Sequence, residues 1–500
     1  MTLFLLNAES ADSRLELLLS GYLENNLDLQ KYVLAAQNAR LDYDTTKIEN
    51  GFAFSLTTGT VKIQTSDDGN KCTFTPGASL ELPALNNTSV NLSLPLTVQN
   101  GYDNDGSNGK FLDNGSLKIE AGIVTSKNIK RKAELEESRR SYVEALRNAK
   151  SQALNAEKEF YGKLKSLYGY AADVLEKKNS KYDDEIALRV LEAQGYSRTS
   201  SPYRSKALEV QSDGRDVAEA LRLLERETAI FAVKCGQTYS RVFGSGEFEN
   251  EKKDEAGDLA YQSAIDFLPG SLPAVQMEDI LSYKSDDYTE TESAKWSRHI
   301  NALKRSTDCK MELGAYGEYV FNNSASGYDS VGGGLTFDWR GIQASAGVAF
   351  PTGENALGFE SSSSGSKSKS PVYTFGLTLT PNEWRLAAID GKQDEINSKI
   401  DDIAVKSAAD NYETAVLEKL TTRGDLKWSE KSYAEEYDMY SNMADDSEKW
   451  LAQGIITQAD YLDAVNNKEK ARLNILANIA EQIIYNNEVK LLFVQTVEDE

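Results

Sequence analysis

The sequence predicts an α+β fold made by internal duplication, in which long coiled-coil helices alternate with groups of short β-strands. Three observations carry this reading. Ala193-Gln194-Gly195 recurs as Ala452-Gln453-Gly454, 259 positions later, inside the longer matched stretches Leu191–Ser201 and Trp450–Asp460. Alternating runs containing Leu117–Val124 and Tyr373–Leu379 each feed a long, glycine-poor, charged stretch at about the same offset. At each junction the hydrophobic period passes from two, the strand value, to the three-and-four spacing of a helical seam. Repetition on this scale sets the architecture before any local motif is considered.

The elements follow in order. Residues 1–50 hold an N-terminal segment and a first helix over 12–48, with Leu15, Leu17, Leu18, Leu19, Tyr22, Leu27 and Leu29 leading into an alanine-rich stretch. Within it, Met1–Ala11 reads as the tail of a secretory signal without a basic start. Residues 51–125 are the first-half strands and loops: Phe52, Phe54 and Leu56 alternate, as do Val90, Leu92, Leu94 and Leu96, and Leu117–Val124 closes the group. Residues 126–235 form the first helix pair. Between Ser126 and Glu192 there is no proline, and the glycines are Gly162 and Gly169. Tyr142, Leu146, Ala149, Ala153, Ala156, Phe160, Leu164, Leu167, Ala171 and Val174 mark a seam in a helix on the order of 100 Å long. Its many alanines allow close helix approach.

Residues 236–275 are mixed and partly loop-like, and 276–311 hold the helix that opens the second half. Strands return over 312–384, where Ile342, Ala344, Ala346, Val348 and Phe350 keep strict alternation. Gly332-Gly333-Gly334 reads as a turn between strands, since a phosphate cradle needs a strand before it and a helix after it. Ser361–Ser370 reads as a solvated loop. The second helix pair occupies 385–492, with Ile389, Ile396, Ile400, Ile403, Tyr412, Val416 and Leu420 along its first member and Gly424 inside it. An acidic tail, 493–500, ends the chain.

Composition limits the function. Hydrophobic residues make up 40% and charged residues 27% of 500, with a mean hydropathy of −0.50. No run reaches the roughly 18–20 apolar residues of a spanning helix, but transmembrane strands of about 10 alternating residues escape that test. A net charge of −23 argues against nucleic acid as a partner. Cys72, Cys235 and Cys309 lack metal-type spacing and read as inert thiols, with one disulfide left open. His299 is the single histidine, so a histidine triad or zinc site is not expected. Asp103–Gly109 misses the calcium-loop pattern and reads as a polar loop. No nucleophile, base and orienting group can be nominated together, so no catalytic residue, cofactor or metal is expected and the chain is not read as an enzyme.

Three stretches carry a resemblance to a known family. Leu23-Glu-Asn-Asn-Leu-Asp-Leu-Gln30 precedes an alanine-rich helix. Thr374–Pro381 runs into Ala387-Ala-Ile389, with Val90–Leu96 as a weaker counterpart. Gly454-Ile-Ile-Thr-Gln-Ala-Asp-Tyr-Leu-Asp-Ala464 sets a Thr and an Asp-x-x-Asp-Ala run after a glycine. Together they resemble the TolC-like outer-membrane efflux proteins. The resemblance implies a homotrimer in the cell outer membrane, with strands in one shared barrel and helices in a periplasmic tunnel. It implies a passive exit duct of a tripartite efflux or type I secretion system, served by a periplasmic adaptor and an inner-membrane transporter and bounded by outer-membrane lipid.

On that resemblance, Asp460 and Asp463 are the expected aperture residues. At i and i+3 they share a helix face, and threefold symmetry makes each a carboxylate ring that favours cations. Gly195, Ser201, Gly454 and Thr457 mark the turns at the tunnel tip. The chain also departs from the pattern: Ser201 aligns with Asp460, Pro202 follows it, and Ile455 and Ile456 stand where some relatives place a basic locking residue. About eight strand runs are found where the family supplies four per chain, so the surplus belongs to extracellular hairpins or to a larger barrel. The competing reading is a structural coiled-coil surface protein or adhesin without transport activity. Taken alone, Asp460 and Asp463 also read as solvated helix residues, Asp460 suiting a helix N-terminus.

Overall fold

The computed structural model describes residues 13–66, 69–85, 87–100, 108–112, 114–241, 253–307, 311–323, 327–359 and 369–497. Met1–Ala11, Cys309, most of Asp103–Gly109 and most of Ser361–Ser370 lie outside the described residues. The chain divides into two compact units, one made of Met1–Ala35, Ala145–Glu292 and Ala409–Glu500, the other of Ala36–Glu144 and Ser293–Ala408.

The first unit is helical. Helix α1 (Ser13–Glu24) is separated from α2 (Leu27–Glu49) by Asn25-Asn26, where the Asn26 side chain accepts from the Asp28 and Leu29 amides and so caps α2. The expected single helix over 12–48 is thus two. Helix α3 (Lys127–Ala193) and α4 (Ser201–Lys234) are the first pair, α7 (Pro381–Ala452) and α8 (Gln458–Leu492) the second. Between the pairs lie α5 (Lys253–Phe267), inside the segment expected to be mixed, and α6 (Thr289–Thr307); most of α2 and α6, the start of α3 and the start of α7 belong to the second unit. The seam read in α3 is the core: Ala156, Phe160, Leu164, Leu167, Ala171 and Val174 are buried against Leu18 of α1, Leu224 and Phe231 of α4, Ala260 and Ala264 of α5, and Leu473 and Ala480 of α8. Small residues on α5 let its backbone come close to α4. A second cluster gathers Ile280, Tyr288, Leu426, Tyr485, Val489 and Phe493.

The second unit carries the strands. Eight form one antiparallel sheet: β1 (Ala53–Thr57), β4 (Gly77–Leu82), β5 (Thr88–Ser93), β8 (Gly115–Val124), β9 (Met311–Asn323), β10 (Tyr328–Trp339), β11 (Ile342–Pro351) and β12 (Val372–Leu379), in that spatial order. The other four, β2 (Lys62–Ser66), β3 (Gly69–Phe74), β6 (Leu96–Asn100) and β7 (Asn108–Leu112), make a separate sheet. The surplus over four strands is therefore of both kinds: extra strands in the main sheet and a second sheet in the connections.

Gly332–Gly334 is not a turn, which corrects the sequence expectation. These residues lie inside β10, paired with Glu318–Tyr316 of β9 and Ala349–Gly347 of β11. The reason is lateral. A Cβ on Gly334 would stand 2.8 Å from the Tyr316 hydroxyl, and one on Gly347 would strike the same hydroxyl. The glycines leave room for the Tyr316 ring to lie across two strands, a requirement set by neighbours far away in sequence.

Candidate functional site

The main sheet has two chemically opposite faces, and its register defines them. One row across it reads Phe54, Leu80, Val90, Ile119, Gly317, Gly333, Val348 and Tyr373; the rows two residues away on the same face contain Leu56, Leu92, Leu117, Leu335, Ala346 and Phe375. The intervening rows hold Ser55, Ser79, Glu81, Asn91, Lys118, Glu120, Glu318, Thr336, Ser345 and Thr374, with the glycines around Tyr316. The apolar face is uncovered: Phe375 is 82% exposed, and Leu56, Leu335, Phe350 and Leu377 all exceed one half. In water, so large a bare patch is untenable. Facing lipid, with a wet polar face behind it, it is the pattern of a transmembrane β-wall.

Topology orients this wall. All neighbouring strands are antiparallel, so β1 and β9 start, and β8 and β12 finish, at the same end of the sheet. Helices α2, α3, α6 and α7 join the sheet at that end. The connections carrying β2–β3 and β6–β7 leave from the opposite end. There Asp329, fully buried, accepts from the Tyr319 hydroxyl at 2.8 Å and from the Asn322 and Ala356 amides at 2.6 Å, tying the β9–β10 and β11–β12 connections together.

The duplicated turns match atom for atom where they begin. Gly195, at φ +82°, donates to the Glu192 carbonyl and Tyr196 to that of Leu191; Gly454, at φ +69°, donates to Leu451 and Ile455 to Trp450. Both are glycine helix stops whose positive φ disfavours any side chain. The exits differ. Thr457 caps α8 in a reciprocal box: its hydroxyl accepts from the Asp460 amide at 3.3 Å, and the Asp460 carboxylate accepts from the Thr457 amide at 2.8 Å and hydroxyl at 2.7 Å. In the first half the turn is two residues longer, Ser200 caps α4 without a side-chain bond, and Pro202 sits in the first turn. Ser201 is therefore the first residue of α4, whereas Asp460 is the third of α8.

Asp463 faces inward. Its carboxylate accepts from Asn467 at 3.1 Å, and Asn179 of α3 bonds Asn466 and Asn467 in an amide cluster between α3 and α8. Burial, then the charges of Asp183 and Asp460, hold its pKa above the usual carboxylate range. Asp460 itself is exposed. Tyr196 and Ile455, just past the two glycines, are exposed apolar residues on the turns.

Residues 18–260 match the model of the TP096X N-terminal domain, and residues 273–496 that of the TP096X C-terminal domain. The chain belongs to the TP096X family. Solved structures similar to it include the MtrE outer membrane channel of Neisseria gonorrhoeae in its open state, at 14% identity over 98% of this chain and 96% of that one, with a TM-score of 0.44. The CmeC outer membrane channel of Campylobacter jejuni is 11% identical over 100% and 92%, TM-score 0.46. The outer membrane protein VceC of Vibrio cholerae is 10% identical over 96% and 95%, TM-score 0.42. These are of the TolC-like kind that the sequence resembles. No curated protein sequence matches the chain.

Some residues of this TP096X chain went unseen in the sequence. Asp329 lacked any local signal, because its partners come from two segments, β9 and the β11–β12 connection. Tyr316 was hidden likewise among glycines. His299 stands on an exposed helix face, 3.4 Å from Glu136. Among the described residues no cluster suited to a metal ion occurs, and no helix is long and apolar enough to cross a membrane.

Proposed function

We propose that the protein is a protomer of a passive outer-membrane exit duct. The observation that carries this is the eight-stranded sheet with one exposed apolar face, one polar face, and all four helical connections at one end. The apolar face meets outer-membrane lipid, and the polar face lines water. The helices continue on the periplasmic side, and the second small sheet lies outside the cell. The duct is a homotrimer, opened by a periplasmic adaptor and an inner-membrane transporter, in tripartite efflux or type I secretion. It performs no chemistry; its work is to offer a wet path through lipid.

The turns supply the aperture in this reading. Asp460 and Asp463, with Asp183 beside them, concentrate negative charge next to the α7–α8 turn, and threefold repetition makes rings that favour cations. Thr457 and Gly454 fix where α8 begins, and Gly195 and Ser201 do the same for α4. Tyr196 and Ile455 give an adaptor apolar footholds. The test is reconstitution of detergent-extracted protein into lipid vesicles, followed by solute-driven swelling and single-channel recording. Swelling with cation-selective currents, reduced in selectivity by Asp460→Ala with Asp463→Ala, is the expected result. A protein that stays soluble and monomeric without detergent overturns the duct and leaves a coiled-coil surface protein.

A further inference from the structure

The apolar face of the main sheet is uneven, and a trough runs along β11. Ala344 and Ala346 form its floor. The register sets Phe337 and Leu335 of β10 on one side of them, and Leu377 and Phe375 of β12 on the other. Two small side chains between four large ones leave a groove of about 490 Å³, which all six line. The walls stand two strand spacings apart, about 9.6 Å between backbones. Nothing in the chain covers them, since Leu335, Phe375 and Leu377 are all exposed. Towards the outer end the floor rises at Val348 and Phe350. Towards the helical end the walls continue to Trp339 and Leu379, on either side of Ile342.

That helical end is a mouth of different chemistry. Trp339 and Ile342 close a two-residue turn, Arg340-Gly341, with φ of +46° and +80°. A turn with positive φ at both positions favours Asn or Gly at the first, so arginine is a poor choice for the backbone there. Among the described residues Arg340 forms no ion pair. It is exposed, and its guanidinium lies over the Trp339 ring, 6.0 Å from the centroid. The start of α7 is tied to the same turn. The Thr380 amide donates to the Gly341 carbonyl at 2.7 Å, and a Cβ on Gly341 would stand 2.8 Å from a Glu383 carboxylate oxygen. Glu383 is exposed as well, and so is Trp384 beside it.

The mouth therefore carries one cation, one anion and two tryptophans at the foot of an all-hydrocarbon trough. A guanidinium is suited to a phosphate. A carboxylate accepts from an ammonium group, which brings three donors. Tryptophan settles at the headgroup level of a bilayer. A trough lined only by apolar side chains takes a hydrocarbon chain. Together these requirements describe a lipid whose head holds a phosphate and an ammonium group.

We propose that the β11 trough binds one phospholipid of the periplasm-facing leaflet, of the phosphatidylethanolamine class. Its acyl chain lies on Ala344 and Ala346, its phosphate meets Arg340, and its ammonium meets Glu383. The proposal rests on the duct reading, which puts the helical end of the sheet on the periplasmic side. It goes beyond that reading because a wall in lipid accepts any phospholipid, whereas this site selects a head and seats one chain. The bound lipid also bridges the β10–β11 turn and the first turn of α7, where the wall passes into helix.

The experiment reads the fluorescence of Trp339 and Trp384 in full-length protein carrying Trp296→Phe, Trp428→Phe and Trp450→Phe. The vesicles hold phosphatidylethanolamine, phosphatidylglycerol and phosphatidylcholine in equal parts, and one of the three at a time carries brominated chains, which quench tryptophan on contact. The glycerol head lacks the cation, and the choline head lacks N–H donors. Brominated phosphatidylethanolamine is expected to quench at least twice as deeply as either of the others. Arg340→Asn, which suits the turn, Glu383→Gln and Ala346→Phe, which fills the floor, are each expected to level the three while quenching persists. Equal quenching by all three lipids in the parent protein means an ordinary lipid shell and overturns the proposal, leaving the duct reading intact. A preference for phosphatidylglycerol that Glu383→Gln leaves unchanged overturns the assigned head. A preference that survives Ala346→Phe overturns the trough as its seat. No quenching by any brominated lipid, from protein that stays soluble, overturns the duct reading together with the site.

Discussion

Leu335 tests which solvent the apolar face meets. It sits midway along β10, between Ala315 of β9 and Ala346 of β11. The apolar rows of β10 run from Val331 to Trp339, eight steps of about 3.4 Å, or about 27 Å along the strand. A tilt of about 40° reduces this to about 21 Å across the membrane, close to the band of about 25 Å that outer-membrane barrels present. Leu335 is then about 10 Å from either rim, at the midplane. Leu335→Lys is expected to cost about 2–4 kcal/mol of folding stability in lipid, the midplane value for a cation. In water the same change at a side chain 51% exposed costs under about 1 kcal/mol, since Lys keeps its head wet and loses only partial burial. Thr336→Lys, one residue on and facing the polar side, is the control, expected within about 0.5 kcal/mol of the parent. The assay is urea-titrated folding into vesicles, followed by heat-dependent gel mobility and tryptophan fluorescence. Equal midpoints for the two variants would refute a lipid-facing Leu335.

The remaining expectations concern the turns and the outer end. Gly454→Ala meets no atom within 4 Å, so its cost is backbone strain alone at φ +69°, about 1–2 kcal/mol, readable as faster hydrogen exchange confined to the α7–α8 turn. Thr457→Ala removes one half of the capping box and is expected to cost about 1 kcal/mol in the first turn of α8 by the same readout. Asp463 binds a proton more tightly folded than unfolded, so it destabilises as pH rises from its ordinary value near 3.8 through its raised one. Asp463→Asn is expected to flatten that fall and to stabilise the turn region at pH 7, seen as a higher melting temperature at neutral pH and none gained at pH 3. Asp329→Ala leaves the Asn322 and Ala356 amides without their buried acceptor, a loss of about 1–3 kcal/mol each, expected as protease sensitivity in the β9–β10 and β11–β12 connections with the sheet retained.

What was legible in the sequence is what local chemistry decides. The turns at Gly195 and Gly454 and the seam from Ala156 to Val174 announce themselves through residue type at fixed spacing, as does strict alternation from Ile342 to Phe350, whereas the Thr457 cap was not read. The misread parts depend on partners distant in the chain. Gly332–Gly334 is strand because it pairs with β9 and β11, Gly334 staying bare where Tyr316 lies, and α5 is a helix whose Ala260 and Ala264 enter the core shared with α3 and α4. The Ser201–Asp460 alignment holds for the letters and fails for the geometry, because two extra residues in the first turn move the start of α4. Asp463 was read from its spacing to Asp460, which says nothing of Asp183 on a helix some 280 residues earlier.

The low mean hydropathy and the large bare apolar surfaces have one cause. A β-wall exposes only alternate residues to lipid, and a helical seam uses about two in seven. Each pattern dilutes its apolar residues with polar ones facing water, so a window average registers neither. Leu335 and Thr336 lie on opposite faces of the sheet though they are adjacent. Ile389 and Asp390 are likewise adjacent, one on an apolar stripe and one beside it. A chain can thus hold an average of −0.50 and still present a sheet with one bare apolar face and helices with bare apolar stripes. The information lies in the phase of the pattern rather than its mean, and the strand register converts phase into a face. That is why the sheet, whose register ties eight strands from both halves into one alternation, carries the functional argument further than any single residue at the turns.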